Sequence, residues 1–351
     1  MSKHLFGLVV TPHGTAANNR GENEGNITTL QKLLWNGEMH TTVSAEAIRW
    51  ALRYYWQRTG ISVNRKWNDD TNDHEWVDKL WLPWTDPDGA GKGQETFIDD
   101  DMLGFMLAEA ADSDGSDTGD GLKKEKKELE ERYKTLSKDE QKADDGKELK
   151  RQIKERDEKI RLLSKGTCDK RRGVLEVSRA ISLTPFAGDI TFNAKSGEKS
   201  NTSLYGTEIH ATRYQYGFAL TPEALRVPSR ALAAVDAVTS LSEVAGNHSR
   251  FLYDFSPDAV IYRWTDDFAP RMLYGFALAD DQHVALPELL GRIEYGDIDR
   301  KEIIVGASTP ATFDAETMGR FETFGIKVQG VKAAAEEVKR RMRTDLKLAA
   351  S

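Results

Sequence analysis

The amino-acid sequence predicts an α+β fold that carries one large insertion, and three observations lead to that prediction. Short apolar segments typical of strands alternate with amphipathic helical segments in both terminal parts of the chain. The composition changes at Gly60 to an acidic, turn-rich stretch and then to a highly charged one. With 351 residues, the chain has room for two average domains or for one domain with an insertion. The element order indicates a sandwich of the split β-α-β kind.

The amino-terminal part is predicted to contain a strand, a long loop and a helix. Residues 4–11, HLFGLVVT, are mostly apolar and predict a buried strand. Residues 11–31 are rich in glycine and asparagine, which predicts a loop whose backbone N–H groups can meet an anionic ligand. Residues 43–58 predict a helix with Ser44 as its N-cap and one apolar stripe.

The predicted insertion, residues 60–167, has an acidic part and a helical part. The acidic part contains the run Asp99–Asp101, which we interpret as solvated surface. Residues 122–166 carry leucine and isoleucine at helical spacing among many charges, which predicts an antiparallel helical hairpin. Residues 60–121 contain four lysines and arginines against sixteen aspartates and glutamates, so this segment explains the chain's net charge of −8.

The carboxy-terminal part is predicted to return to strands and helices. Strands are predicted at residues 173–186, 209–220, 259–265 and 271–278. Residues 190–208 predict two extended arms around a polar tip, and residues 221–246 predict a helix broken at Pro228. The pentapeptide YGFAL ends two of these strands, which indicates either a duplicated β-unit or a chance repeat.

The composition excludes several classes of protein. Cys168 is the only cysteine, so intrachain disulfides and cysteine-rich zinc sites are excluded, and a reducing compartment is expected. The first residues resemble neither a signal peptide nor a membrane span, so we expect a soluble, cytoplasmic protein. The sequence has no phosphate-binding P-loop, no nucleophile elbow and no H-E-x-x-H zinc motif. We therefore expect no catalytic residues, no metal and no cofactor.

Cations lie instead among small polar and aromatic residues, in segments that are predicted to be loops or strands. This combination is typical of surfaces that hold single-stranded nucleic acid by its phosphates, although each segment alone could be an ordinary surface loop. The candidate RNA-binding residues are Asn18, Asn19, Arg20, Asn26, Lys32, Arg49, Arg53, Arg171, Arg172, Arg179, Lys195, Lys199, His210, Arg213, Tyr214, Asn247, His248 and Arg250.

Two blocks of the sequence resemble a known family. LFGLVVTPHGTAANNRGENEGNITTLQKL, followed by HTTVSAEAIRWALRYYW, is similar to the amino-terminal region of the DevR-type backbone subunit of type I CRISPR surveillance complexes (Cascade), most like the I-B group. RRGVLEVSRAISLTPFAGD and the GNHSR loop also resemble that family. The resemblance covers about residues 4–58 and 168–280.

The resemblance implies a modified RRM-like palm made of residues 1–59 and 168–351, with residues 60–167 as fingers and a β-hairpin thumb at about 188–207. It implies that several copies polymerise along one guide RNA, together with other Cascade subunits, and present the RNA for pairing with target DNA. The segment 11–31 would then run beneath the guide backbone.

Two alternatives remain at this stage. Type III relatives cleave target RNA with a loop aspartate, where this chain has Arg20 and Glu22. A metal-dependent ribonuclease would need ligands such as Asp99–Asp101, or Glu22 and Glu24. The other alternative is an interaction module unrelated to CRISPR, in which the helical hairpin binds a protein.

Overall fold

The structure is a computed structural model, and it describes residues 2–18, 20–89, 91–108, 117–136, 144–165, 168–194, 204–246 and 251–348. The candidate residues Asn19, Lys195, Lys199, Asn247, His248 and Arg250 lie outside the described residues.

The strands and helices follow one another in mixed α/β order. The strands are β1 His4–Val10, β2 Gly14–Ala16, β3 Arg20–Glu24, β4 Ile27–Leu30, β5 Lys32–Trp35, β6 Glu38–Val43, β7 Arg65–Asn68, β8 Asp73–Trp76, β9 Gly104–Ala108, β10 Cys168–Arg172, β11 Leu175–Val177, β12 Ala180–Ser182, β13 Asp189–Ala194, β14 Leu204–Thr212, β15 Tyr214–Leu220, β16 Ala259–Thr265, β17 Ala277–Leu278, β18 Val284–Ala285, β19 Ile303–Ala307 and β20 Val328–Gln329. The α-helices are α1 Ala45–Arg58, α2 Leu82–Thr85, α3 Ile98–Leu103, α4 Asp117–Thr135, α5 Asp144–Lys165, α6 Arg230–Thr239, α7 Pro287–Glu294, α8 Ala315–Phe324 and α9 Val331–Asp345.

The chain divides into two compact units. The first contains residues 1–79, 95–103 and 173–351, and the second contains residues 80–94 and 104–172. This division differs from the predicted insertion, because residues 60–79 and 95–103 pack with the first unit.

The main sheet of the first unit has the strand order β20-β19-β16-β1-β15-β12-β6-β5. Strand β1 pairs antiparallel with both β15 and β16, so that Leu8 lies opposite Gly217 and Ile261. All seven residues of β1 are buried. Leu5 and Val9 belong to one core and Leu8 to the other, because alternate side chains of a strand point to opposite faces.

The two cores explain why the predictions of β1, α1 and β16 are confirmed. The first core includes Leu52 of α1, Val235 of α6 and Val338 of α9, and the second includes Leu290 of α7 and Phe321 of α8. With helices contributing to both cores, a central strand is apolar along its whole length. The start of α1 is also as predicted, since the Ser44 side chain accepts a hydrogen bond from the backbone N–H of Ala47.

Residues 11–31 are not one long loop, which corrects the prediction. They form β2, β3 and β4 in a second sheet with the order β13-β14-β4-β3, in which β2 also pairs with β14. The tight turn between β3 and β4 has Gly25 at φ +61°. Backbone pairing with the β13–β14 hairpin orders this segment, and such pairing needs little apolar bulk. The predicted arms of that hairpin are confirmed, with Asp189 opposite Ile209 and Ala194 opposite Leu204.

Three predicted strands differ from the prediction. Residues 173–186 are interrupted between β11 and β12, where the Ser178 hydroxyl accepts a hydrogen bond from the Gly217 N–H at 2.8 Å. Residues 209–220 are divided between β14 and β15. Residues 271–278 do not form a strand except at β17, because Arg271 and Tyr274 have φ values of +53° and +55°. The two YGFAL segments therefore do not mark a duplicated β-unit.

The second unit contains the helical hairpin that the sequence predicts. Helices α4 and α5 are joined by ion pairs from Lys126 to Asp157 at 2.6 Å and from Arg156 to Glu125 at 2.9 Å. Strands β9 and β10, in the same unit, form an antiparallel ladder. Within the described part of the chain, no helix combines the length and apolar character needed to cross a membrane.

Candidate nucleic-acid interface

Arg179, between β11 and β12, is an exposed cation with neutral neighbours. Its Nη1 donates hydrogen bonds to Thr42 Oγ1 at 3.2 Å and to Gln31 Oε1 at 3.4 Å. Among the described residues it has no carboxylate partner. Its charge is therefore not compensated by an ion pair, and its remaining N–H groups can donate to a phosphate.

Tyr274 contacts the backbone of Arg179, and Trp35 contacts Tyr274. The Tyr274 hydroxyl donates a hydrogen bond to the Arg179 carbonyl at 3.0 Å. The Tyr274 ring lies 5.2 Å from the ring of Trp35, centroid to centroid, and both residues are half-buried. The Arg179 guanidinium can bind a phosphate, and the pair of rings that Tyr274 joins to the Arg179 backbone can stack a base. The sequence analysis identified Arg179 but missed Trp35 and Tyr274, because their contact depends on the left-handed turn at Tyr274.

Lys32, at the start of β5, is held within the chain. Its Nζ lies 2.5 Å from Glu208 Oε2 and 4.5 Å from the centroid of the Phe186 ring. Glu208 also accepts a hydrogen bond from the backbone N–H of Leu30 at 2.7 Å. The pair therefore ties β14 to the segment between β4 and β5, and it neutralises the charge of Lys32.

Arg20 and Asn26 lie in the β3–β4 hairpin. The backbone of Arg20 is opposite Leu30, and Asn26 is exposed at the turn. The Asn26 carbonyl accepts a hydrogen bond from the Gly206 N–H at 2.8 Å, which fixes this turn on the β13–β14 hairpin. Arg20 and Asn26 thus lie in a hairpin of the second sheet, and Lys32 of β5, in the main sheet, is tied to that second sheet through Glu208.

The β13–β14 hairpin exposes large apolar side chains that the sequence analysis did not single out. Phe192 is 65% exposed, Leu204 is 60% exposed and Tyr205 is 41% exposed. The only pattern in the sequence that could have indicated these residues is the presence of large apolar side chains in a mostly polar segment. The exposed ring of Phe192 on this hairpin arm can contact a base or another chain.

The predicted basic and aromatic strand is buried, which corrects that interpretation. Tyr214 is fully buried, its hydroxyl lies 2.9 Å from Thr41 Oγ1, and burial raises its pKa to about 12. Arg213 forms a buried ion pair with Asp258 at 2.5 Å. His210 Nδ1 lies 2.7 Å from Thr41 Oγ1, and burial lowers its pKa to about 4, so it is neutral at neutral pH. These side chains hold the strands together.

The two helix arginines and Asn18 are also engaged within the chain. Arg53 Nε lies 3.1 Å from Asp99 Oδ2, and Arg49 Nη2 donates to the Leu103 carbonyl. Burial, with a smaller effect of Arg53, lowers the pKa of Arg49. Asn18 is buried and its Nδ2 donates to the Val244 carbonyl at 2.7 Å. These three side chains are therefore held within the chain, and their contact with RNA stays a prediction.

Arg171 and Arg172 lie on β10 in the second unit. The Arg171 guanidinium lies 4.3 Å from the centroid of the Trp84 ring, within that same unit. Arg172 is exposed. The structure gives these two residues a place on a strand, as the sequence indicates, and their contact with RNA stays a prediction.

The acidic run Asp99–Asp101 is buried rather than solvated, which overturns the interpretation from sequence. Besides its pair with Arg53, Asp99 accepts hydrogen bonds from the backbone N–H groups of Asn64 and Arg65 at 2.8 and 3.2 Å. Asp101 pairs with Arg230 at 2.8 Å. Among the described residues, no group of histidine, cysteine, aspartate and glutamate side chains is arranged to hold a metal ion.

Comparison with known proteins identifies the family. No family model matches the chain. The chain is 45% identical over 326 residues to a protein of Myxococcus xanthus (strain DK1622) described as CRISPR-associated protein Cas7/Cst2/DevR, and the alignment covers 90% of each chain.

Two solved structures are also similar to the chain. One, described as a CRISPR RNA-guided surveillance complex, pre-nicking, has 11% identity and a TM-score of 0.48 over 95% of this chain and 99% of that one. Another, described as a CRISPR RNA-guided surveillance complex, has 13% identity and a TM-score of 0.47 over 96% and 100%. By its identity with the M. xanthus protein over almost the whole of both sequences, the chain belongs to the Cas7/Cst2/DevR family of CRISPR-associated proteins.

Proposed function

We propose that this protein is a non-catalytic backbone subunit that polymerises along CRISPR guide RNA in a Cascade complex of the I-B kind and presents the RNA for pairing with target DNA. The observation that carries this proposal is the 45% identity with a Cas7/Cst2/DevR protein over 90% of both chains. Its partners are the guide RNA, further copies of itself and other Cascade subunits, in the cytoplasm.

We assign the parts of such a subunit as follows. The neighbouring strands β16-β1-β15-β12, with α1 after β1 and α6 between β15 and β16, form the modified RRM-like palm. The β13–β14 hairpin, at about 188–207, is the thumb. The fingers were predicted at residues 60–167. We assign them instead to the second compact unit, residues 80–94 and 104–172.

The guide RNA runs over the surface that joins Arg179, Trp35 and Tyr274 to the β3–β4 hairpin and the thumb. Arg179 binds a phosphate, the two rings stack a base, and the β3–β4 hairpin that carries Arg20 and Asn26 lies along the path. The partners offered are guanidinium groups, amides and aromatic faces, which bind phosphates and bases of any sequence. Binding is therefore indifferent to the spacer sequence.

The ribonuclease alternative can no longer use Asp99 and Asp101 as metal ligands. Asp99 and Asp101 are each engaged in ion pairs and backbone hydrogen bonds, so they cannot hold a metal without leaving Arg53 and Arg230 unpaired in the interior. Glu22 and Glu24, both exposed on β3, are the remaining candidates. The alternative of an interaction module unrelated to CRISPR is not compatible with membership of the Cas7/Cst2/DevR family.

The proposal is tested by measuring guide RNA affinity for the variant Arg179→Ala and for Arg58→Ala as a control. Arg58 is a matched arginine that is 65% exposed on α1. Loss of a charge-assisted phosphate contact lowers affinity about tenfold and reduces the salt dependence by about one counterion. The control keeps the affinity of the parent protein, and two unrelated spacers bind equally. Equal effects of both variants, or strong preference for one spacer, would contradict the proposal.

A further inference from the structure

A groove near the carboxy-terminus concentrates positive charge in a chain whose net charge is −8. It has a volume of about 530 Å³, and four cations and one carboxylate are among its lining residues. We call it the carboxy-terminal groove; its charged residues are Arg300, Lys301, Lys327, Glu337 and Arg341.

The single carboxylate of the groove is already neutralised. Glu337 receives hydrogen bonds at 2.9 Å from Arg340 and from Arg341. Arg340 above all, and then Arg341, lower the pKa of Glu337 to about 2. Glu337 therefore stays ionised at neutral pH, and its charge is satisfied by these two arginines.

The other three cations have no carboxylate partner within the described residues. Arg300 donates through Nη1 to the Phe324 carbonyl at 2.9 Å, and this bond fixes its guanidinium without compensating its charge. Lys301 and Lys327 are exposed. These three like charges repel one another. An anion that binds in the groove relieves this repulsion.

The cations of the groove come from three separate segments of the chain: the turn at residues 300–302, the segment after α8, and α9. Gly325, with φ +68°, ends α8 and brings no side chain into the groove beside Arg300. Cations from three segments can each contact a different phosphate of one strand, which favours a chain of phosphates as the anion.

The groove lies far from the surface proposed for guide RNA. It includes Gln329 of β20, which is one edge strand of the main sheet, whereas Trp35 belongs to β5 at the other edge. Neighbouring strands are about 4.8 Å apart, so the two edges are separated by roughly 30 Å along the sheet. One local contact cannot serve both edges.

We propose that the carboxy-terminal groove binds the phosphodiester backbone of a nucleic-acid strand other than the guide RNA. This inference rests on the proposed function, because a subunit that presents a guide for pairing also meets the DNA that contains the target. The strand is either single-stranded or part of a duplex, and both present the same phosphates.

The test uses the guide-loaded protein and the double variant Lys301→Glu/Lys327→Glu. The matched control is Lys66→Glu/Lys79→Glu, which changes the net charge equally at two exposed lysines elsewhere in the first unit. Fluorescence anisotropy measures binding of labelled oligothymidylate and of a labelled duplex unrelated to the guide. The groove variant is expected to bind about tenfold or more weakly than the control, with a smaller salt slope.

The content of guide RNA, measured on the same preparations, separates this inference from the proposed function. If both variants retain guide RNA and only the groove variant loses the probe, both proposals are supported. The probe that is lost, single-stranded or duplex, identifies the source of the strand. Equal loss by both variants, or a labelled polyglutamate peptide binding the groove more tightly than either DNA, would overturn the inference while leaving the guide RNA result intact.

Discussion

Two groups of carboxylates from the predicted insertion, residues 60–167, have opposite environments. Asp99–Asp101 are at most 4% exposed, and Asp99 and Asp101 are paired with Arg53 and Arg230 in the first unit. The carboxylates of the α4–α5 hairpin form ion pairs on the surface of the second unit; Asp157, for example, is 64% exposed. Carboxylate side chains therefore have two roles in this chain. In the first unit they pair with arginines in the interior, and in the second unit they lie on the solvated surface.

The difference teaches that the partners of a carboxylate determine its role. Asp101 accepts hydrogen bonds from the backbone N–H groups of Arg226 and Val227 at 2.9 and 3.1 Å as well as pairing with Arg230. Removing such a group leaves a buried charge and two backbone donors without their acceptor. A surface pair exchanges its partner for water at little cost.

The largest expected effect is a difference in folding between two deletions that have different boundaries. Deleting residues 109–167 and joining Ala108 to Cys168 by two glycines keeps the β9–β10 ladder, in which these two residues are opposite each other. We expect this variant to fold. Deleting residues 100–165 instead removes Asp101 and the buried Leu103, and we expect it to be insoluble or unfolded. Circular dichroism and size-exclusion chromatography compare the two. A folded 100–165 deletion would show that the acidic run is dispensable.

The next largest effect is expected from Asp101→Ala. Breaking a buried ion pair on one side costs about 3–5 kcal/mol of unfolding free energy. Urea denaturation measures this loss. Asp101→Ala combined with Arg230→Met should recover part of it, because the orphaned charge is removed as well. A loss of unfolding free energy no larger than that of a surface ion pair would contradict the structural role of Asp101.

His210 extends the comparison to a buried base. Its pKa of about 4 in the folded chain lies below the ordinary value of 6.5 because of burial. The unfolded chain therefore binds the proton more readily, so His210 destabilises the fold as pH falls from 6.5 towards 4 and has no such effect above 6.5. In His210→Asn, we expect a shallower loss of stability over this window, measured by denaturation at several pH values. An unchanged pH profile would mean that His210 is not held neutral.

The smallest effect is expected from Arg156→Ala in the α4–α5 hairpin. Arg156 pairs with Glu125, which is 56% exposed, and exposed pairs contribute at most about 1 kcal/mol. The thermal midpoint of the whole chain should stay within about one degree or two of the parent. A loss comparable with that of Asp101→Ala would remove the contrast between the two acidic regions.

The sequence predicted what depends on local pattern. Strands β1 and β16 follow from apolar runs, and α1 follows from its period and its serine cap. Asp99–Asp101 was misread because its partner Arg230 is 129 residues from Asp101 in the chain. Tyr214 was misread because the local sequence contains arginine and histidine. Such a sequence does not indicate that other elements bury the strand. Arg179 was identified, but its aromatic neighbours depend on a turn that the sequence pattern does not predict.

If this protein coats CRISPR guide RNA, that RNA copurifies with it, and the most direct measurement is to sequence the copurified RNA. The protein is expressed together with a CRISPR array of its own host type and purified, and its protein-to-RNA ratio is measured on the same sample. We predict RNA that carries repeat and spacer sequence, with several protein copies on each RNA and no dependence on the spacer. A monomer free of RNA, or bound RNA without repeat sequence, would contradict this role.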